Sequence, residues 1–433
     1  MPDFRYVLSM LLALPALGGC ASAVSSTPAV VKVVQEQGAY RLLKDGEPYV
    51  IRGAGIDSDS LDTFAAQGGN TLRTWRTDNA QSVLDTARSL GLMVVMCIEI
   101  GRERLGFDYS DEAAVASQLA FARQEVEKYK DHPALLAWMV GNEPNLEFEN
   151  PQVFDAINEI SEMIHEVDPN HPTTMALAGF TAELAALTDT RSPDLDFVSI
   201  QMYGDIVNLP RYIEEIGYEK PFMVTEWGAI GHWEVGKTAW GAPIENNSSE
   251  KADNYLKSHR VAIASNPNQI IGNFVFLWGQ KQERTPTWYG MYLADGSETE
   301  TVDVMRYLWT GSWPTNRSPR VAALTLDGQT AHDSVLVEPG RPYAAAVSAA
   351  DPEERMLRYR WEIMRESQST KTGGDKEVVP EMIARRIDQG QEAQVVVNAP
   401  TEPGPYRLFV YVYDDDGNAA HANLPFHVGP HEG

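Results

Sequence analysis

The chain has 433 residues, 43% of them apolar and 22% charged, which suits a globular protein of two or three domains and excludes disorder, collagen or coiled coil as its overall character. Acidic residues outnumber basic ones 61 to 35, for a formal charge of -26, so there is no basic face to displace counterions from nucleic acid, and an anionic polymer is repelled at long range. Two cysteines are too few for a disulfide framework.

Met1 to Cys20 hold one basic residue, Arg5, an apolar run from Tyr6 to Leu17, and then Leu17-Gly18-Gly19-Cys20. The run is too short to span a bilayer, and small residues behind it mark a secretory signal over residues 1–19. The Leu-Gly-Gly-Cys ending resembles the bacterial lipobox. That resemblance implies a lipid on Cys20 and an exported protein anchored to the cell envelope. Ala21 and Ser22 follow, without the Asp that suggests inner-membrane retention, so the outer membrane is the expected home if the host has one. Acyl chains hold firmly, at about 0.8 kcal/mol per buried methylene. Residues 20–37, rich in Ala, Ser, Thr and Val, read as a tether.

Asp45-Gly46, between Tyr40-Arg-Leu-Leu-Lys and Glu47-Pro-Tyr-Val-Ile, suits the type I′ turn of a hairpin. Short apolar runs then alternate with helical stretches. The runs are Val50–Gly55, Thr71–Trp75, Met93–Ile98, Leu135–Val140, Thr173–Ala176, Phe197–Met202, Pro221–Thr225 and Ile270–Leu277. Glu112–Tyr129, Val153–Val167 and Glu250–Ala264 carry helical periodicity, and Val302–Trp309 closes the series. Eight strand-helix units predict an α/β fold, a (β/α)8 TIM barrel over residues 38–314. An open doubly wound sheet has no glycine-rich nucleotide loop to support it. Residues 315–319 read as a linker. Strand-like alternation with Gly, Pro and Asp turns over 320–433 predicts a small β-sandwich with Trp361 in its core. Its pattern resembles the Ig-like and PKD-like modules appended to extracellular enzymes. Asp414-Asp415-Asp416-Gly417 reads as an acidic hairpin turn in preference to a calcium loop.

In such a barrel the working residues sit where strands end. The fourth strand ends Met139-Val-Gly-Asn142-Glu143-Pro144-Asn145, and the seventh ends Val224-Thr-Glu226-Trp227-Gly228. Cleaving a glycosidic bond needs a proton for the leaving oxygen and a carboxylate across the anomeric carbon, and two glutamates facing each other over the barrel mouth supply that pair.

With these motifs the chain resembles a clan A glycoside hydrolase, most similar to family 5 and family 2 barrels. The resemblance implies that Glu143 is the general acid/base, Glu226 the nucleophile, and Asn142 a partner of the sugar 2-hydroxyl. It further implies that Arg73 and Tyr203 hold the nucleophile and that Trp278 lies beneath the sugar. Gln201 stands where family 5 usually has His. Glu99, Glu103, Glu147, Glu149 and Glu234 lack comparable neighbours and read as rim or surface residues.

Indole faces stack on the C–H faces of β-linked sugars. Trp75 and Trp227 end strands, while Trp233, Trp240 and Trp288 lie in long polar loops; all five are candidates for sugar contact, whereas Trp138 and Trp309 read as core. No metal site is expected: His165 and His171 lack ligand spacing and read as structural. No cofactor fingerprint occurs, and Cys97, in an apolar run, reads as a buried thiol.

The sequence thus predicts a retaining glycosidase of neutral β-linked polysaccharide or oligosaccharide, with a β-glucan as the leading substrate. Asn70-Thr-Leu-Arg and the Glu226 segment also resemble β-1,3-glucan transglycosylases, which keeps transfer as an alternative. A non-catalytic glycan-binding lipoprotein is the other reading. All chemical candidates precede residue 316, so a cut there is expected to leave an active barrel.

Overall fold

A computed structural model describes residues 27–57, 60–371, 373–388 and 392–430. Cys20 and the signal segment lie outside the described residues.

The eight runs form a closed barrel of parallel strands: β1 (Gly53–Gly55), β2 (Thr71–Arg73), β3 (Met93–Ile98), β4 (Leu135–Asn142), β5 (Thr173–Ala178), β6 (Val198–Gln201), β7 (Phe222–Glu226) and β8 (Ile270–Val275). Helices α1 (Leu61–Ala66), α2 (Ala80–Ser89), α3 (Glu112–Tyr129), α4 (Gln152–Val167), α5 (Ala182–Arg191), α6 (Leu209–Ile216), α7 (Ser248–Ser258) and α8 (Glu300–Thr310) surround it. The strands are apolar on both faces because both are covered. Met93, Val95 and Cys97 fill the interior, while Val94, Met96 and Ile98 pack against the helices. Burial pushes the Cys97 thiol up to about 12, so it is inert packing. Caps fix the helix starts: Asp111 accepts from Ala113 and Ala114 on α3, and Asn247 with Glu250 forms a capping box on α7.

The expected tether to residue 37 is too long. Val31–Glu36 is already a strand, paired with Ala39–Lys44 around Gln37-Gly38, whose φ angles of 52° and 80° suit a tight hairpin turn. Leu42 and Ile51 of this hairpin region pack with Val31 against the barrel interior and plug its lower end.

The C-terminal domain packs two antiparallel sheets. One contains β9 (Pro342–Ala346) and β12 (Gln394–Asn398); the other contains β10 (Arg358–Arg365), β11 (Met382–Asp388), β13 (Gly404–Tyr413) and β14 (Asn418–Val428). Trp361 is buried in its core. The acidic turn is tied by its own side chain: Asp414 accepts from the Asp416 and Asn418 backbone at 2.8 and 2.9 Å.

The two domains share a packed polar interface around residue 316, which weighs against the expectation of an independent barrel. Glu298–Thr299, on the loop entering α8, adds a parallel strand to β14. Glu245 is buried between the domains and accepts from Lys251 at 2.6 Å, Thr285 at 2.6 Å, Thr287 at 2.9 Å and Asn423 of β14 at 2.6 Å. Burial works to raise its pKa, but Lys251 and these bonds hold it down at about 2. Arg407 joins Glu366 at 2.8 Å, Asn423 at 2.7 Å and the Pro243 carbonyl at 2.8 Å. The linker itself is packed, with Ser318 buried and its N–H donating to Asp303 at 2.7 Å.

Removing one member of a buried ion pair strands the other. Lys251→Met should cost the full chain about 3–5 kcal/mol in chemical denaturation. Lys251→Met combined with Glu245→Leu should cost less than the single change. Equal or greater loss in the double variant would show that the charges are not what matters at this interface.

Candidate active site

The two strands that carry the glutamates both break register just before them. Pairing of β4 with β5 shifts between Met139 and Asn142, and pairing of β7 with β6 shifts between Val224 and Glu226. Met223 faces the barrel interior and Val224 the helices. Bulges of this kind re-aim a side chain at a strand end. Glu143 also takes a left-handed φ of 52°, sparsely used by residues with a Cβ, and its N–H is fixed by the Ala176 carbonyl at 2.8 Å.

Arg73 lies at the centre, fully buried at the end of β2. Its guanidinium donates to Glu226 Oε1 at 3.0 Å, to the Thr225 carbonyl at 3.3 Å and to Asn142 Oδ1 at 2.6 Å. Trp75 Nε1 donates to the same Glu226 oxygen at 2.9 Å, and the Tyr203 hydroxyl donates to Oε2 at 2.6 Å. Both oxygens of Glu226 are thus held by donors, one of them the Arg73 cation. Burial and the charge of Glu226 push the Tyr203 phenol well up, so it remains a donor.

Glu143 is surrounded differently. Burial first, and the charge of Glu226 second, push its pKa up to about 8, against the pull of Arg73, Arg102 and Arg104. Glu143 is thus held as the neutral acid that proton donation requires, beside a Glu226 carboxyl that three donors surround. Asn142 Oδ1 also accepts from Gln201 Nε2 at 2.8 Å. With its oxygen held twice, Asn142 has its amide hydrogens as donors for a ligand.

The structure brings Arg73, Trp75, Asn142, Glu143, Tyr203 and Glu226 together. Trp233 joins them at the mouth, 56% exposed, with its ring 5.5 Å from Tyr203. The other tryptophans do not join. Trp278 is buried against Phe64, Tyr292 and Trp309 and donates to Thr63 at 3.3 Å. Trp227 is buried beside Tyr255 and donates to Asn273 at 3.2 Å. Trp288 is buried and donates to the Ile230 carbonyl at 2.9 Å, and Trp240 packs on His427 of the C-terminal domain at 5.7 Å. The indoles of Trp227, Trp278 and Trp288 are buried and satisfied inside the fold and Trp240 packs on the C-terminal domain, so the expected sugar contacts at these four are not supported.

Phe276 takes the place expected of Trp278. Its ring lies 5.8 Å from both Trp75 and Tyr203 and 5.7 Å from Tyr289. The sequence singled out neither Phe276 nor Tyr289; the end of β8 was the signal, read two residues too far along. Gln201 was noted only as a departure, yet it fixes Asn142. Of the rim glutamates, Glu234 accepts from the backbone of Gly204, Asp205 and Gly231, and Glu103 from that of Glu149 and Asn150, so both shape loops. Glu99 lies 3.6 Å from Arg102. His165 pairs with Asp194 and Asp196, and His171 with Asp168, away from the glutamates. Among the described residues no cluster of potential ligands could hold a metal ion.

Residues 50–239 match the family model for the TIM barrel domain of glycosyl hydrolases family 2, a span that contains both glutamates. A β-glucuronidase of Chlorocebus aethiops is 22% identical over 257 residues, covering 53% of this chain and 38% of that protein. A probable mannan endo-1,4-beta-mannosidase A-2 of Aspergillus terreus is 26% identical over 209 residues, covering 36% of this chain and 53% of that protein. The chain therefore spans about half, or less, of the length of these relatives. Among solved structures, a Faecalibacterium prausnitzii β-glucuronidase superposes with a TM-score of 0.52 at 18% identity, over 66% of this chain and 52% of that one. The likeness shows a shared fold. Residues 50–239 are similar to the TIM barrel domain of glycosyl hydrolases family 2, a match over less than half of the chain.

Proposed function

We propose that this barrel is a retaining β-glycosidase in which Glu226 is the nucleophile and Glu143 the general acid/base. The observation that carries the reading is the different surroundings of the pair, with Glu226 bound by Arg73, Trp75 and Tyr203 and Glu143 raised to about 8. Glu143 protonates the leaving oxygen as Glu226 attacks the anomeric carbon. The glycosyl-enzyme is then hydrolysed by water that ionised Glu143 activates. Asn142 donates to the 2-hydroxyl, and Trp233 offers a face to the ring.

Neutral β-linked glycans fit this mouth best. The cations around it are already held: Arg104 by Asp375 at 2.7 Å, Lys281 by Glu283 at 2.8 Å, Arg76 by Asp57 at 2.7 Å and Arg102 near Glu99 at 3.6 Å. A uronate carboxylate would have to displace one of these partners. β-Glucan is the first polymer to test, and β-mannan, on the strength of the mannosidase relative, is the second. We further read the C-terminal sandwich as Ig- or PKD-like, from its strand pattern, and Cys20 as a lipid anchor that places the enzyme on the envelope, in the outer membrane if the host has one. Cys20→Ala should release the protein from the membrane fraction and abolish lipid labelling; persistence of both would refute the anchor.

Glu226→Ala should abolish turnover of every substrate. Glu143→Ala should lose about 10²–10⁴-fold on natural glycans, yet still form the glycosyl-enzyme from activated aryl glycosides and be rescued by azide as the β-glycosyl azide. Azide on Glu226→Ala should give the α-azide, and swapped anomers would reverse the roles. Near wild-type rates in either variant contradict the reading. The acid must be protonated to act, so wild-type kcat/KM should fall as pH rises through about 8. A rate flat to well above that pH would show that Glu143 is not the acid.

A further inference from the structure

Glu234 reads from the sequence as a rim residue, yet its carboxylate closes two loops of the mouth onto each other. Its Oε2 accepts from the Gly204 N–H at 2.8 Å and the Gly231 N–H at 2.7 Å, and its Oε1 accepts from the Asp205 N–H at 2.8 Å. Gly204 and Asp205 open the loop after β6, whereas Gly231 and Glu234 lie on the loop after β7. The Glu234 N–H donates to the Gly231 carbonyl at 2.9 Å and closes the turn between them. Bonds from main-chain donors to a carboxylate are charge-assisted, about twice as strong as neutral ones. The fit depends on both glycines: a Cβ on Gly231 would lie 2.8 Å from Glu234 Oε2, and one on Gly204 would lie 2.8 Å from Ile230. Only glycine allows so close an approach.

The residues next to this clasp are the ones that face the reaction. Tyr203 directly precedes Gly204, and its hydroxyl donates to Glu226 Oε2 at 2.6 Å. Trp233 directly precedes Glu234 and is exposed at the mouth. Its indole is nevertheless fixed. It stands edge-on to Tyr203 at 5.5 Å and to His232 at 5.0 Å, and it lies over Gly231, where a Cβ would come within 2.6 Å of the ring. The His232 N–H donates to the Tyr289 hydroxyl at 3.2 Å, and the Tyr289 ring lies 5.5 Å from Tyr203. One carboxylate thus sits between the hydroxyl that bonds the nucleophile and the exposed aromatic face beside it.

We propose that Glu234 is a positioning residue: by clasping the backbone after Tyr203 to the turn that carries Trp233, it sets the Tyr203 hydroxyl on Glu226 and the Trp233 face toward the sugar as one unit. This rests on the glycosidase reading of Glu143 and Glu226. Glu234 acts through its two neighbours, not on the sugar. A displacement of about 1 Å at a reacting group, caused from a distance, can cost on the order of a hundredfold in rate. Tyr203 bears on the chemical step and Trp233 on binding, so the clasp governs both.

The test uses the full chain and begins with a panel of 4-methylumbelliferyl β-glycosides to select the sugar. Glu234→Ala and Glu234→Gln are then measured in the wild type and in a Tyr203→Phe/Trp233→Ala background. In the wild type, Glu234→Ala should lower kcat/KM roughly tenfold to a hundredfold, through a lower kcat and a higher KM together. Glu234→Gln keeps one accepting oxygen but turns an N–H2 group toward a backbone donor, so it should lose less. In the Tyr203→Phe/Trp233→Ala background, either change should cost no more than about twofold, because the groups that Glu234 positions are already gone. A carboxylate that merely braces the loops would cost the same factor in both backgrounds, and that result would overturn the proposal. Wild-type kinetics in folded Glu234→Ala would overturn it as well. Should Glu234→Ala not fold, Glu234→Gln decides by the same two criteria. A wild type that turns over no aryl glycoside would instead overturn the glycosidase reading.

Discussion

A guanidinium with no solvent contact is stable only if acceptors surround it, and at Arg73 those acceptors are the active site. Its bonds run to Glu226, Asn142 and the Thr225 carbonyl, on β7 and β4, so one buried cation fixes the geometry of three strand ends. The same charge separates the two glutamates. It lies against Glu226 in a contact pair, whereas Glu143 feels it only at longer range and is dominated by burial and by the charge of its partner. Removing Arg73 would leave Glu226 without its ion-pair partner in a poorly solvated mouth. The chemistry then follows from placement: the carboxyl that is paired is oriented by its donors, and the one that is not, Glu143, holds its proton.

The C-terminal domain extends the same economy of polar groups outward. Its interface with the barrel is a network of buried charges, in which Glu245, Lys251, Asn423, Arg407 and Glu366 satisfy one another. Such a network tolerates little displacement, because each member left unpaired is costly. The loops after β7 and β8 are therefore held from behind by the sandwich. Rigid support of this kind is what a cleft needs if its shape is to select among glycans.

The parts of the site that could be read from the sequence were those where polar residues interrupt an apolar strand. Asn142-Glu143 and Glu226 stand out because a carboxylate at a buried strand end has few reasons to exist. Arg73 and Tyr203 stand out for the same reason. The tryptophans were misread because an indole N–H can be satisfied within the core, as Trp288 is by Ile230 and Trp227 by Asn273, so a polar loop does not mean an exposed ring. Gln201 carried no signal, since an amide has many ordinary uses. Strand order and count were legible from the alternation of runs, but the first hairpin was missed at Gln37-Gly38, although the turn residues were present and the flanking strand has six residues. The coupling of Arg104 to Asp375 joins residues far apart in the chain, and no local pattern announces it.

The central claim is that Glu226 attacks and Glu143 does not. A 2-deoxy-2-fluoro-β-glycosyl fluoride of the preferred sugar slows both steps but, through its reactive leaving group, lets the glycosyl-enzyme accumulate. After incubation, the protein should gain one fluoroglycosyl unit by intact mass, and peptide sequencing should place it on Glu226. A label on Glu143, or complete turnover with inversion and no adduct, would contradict the account.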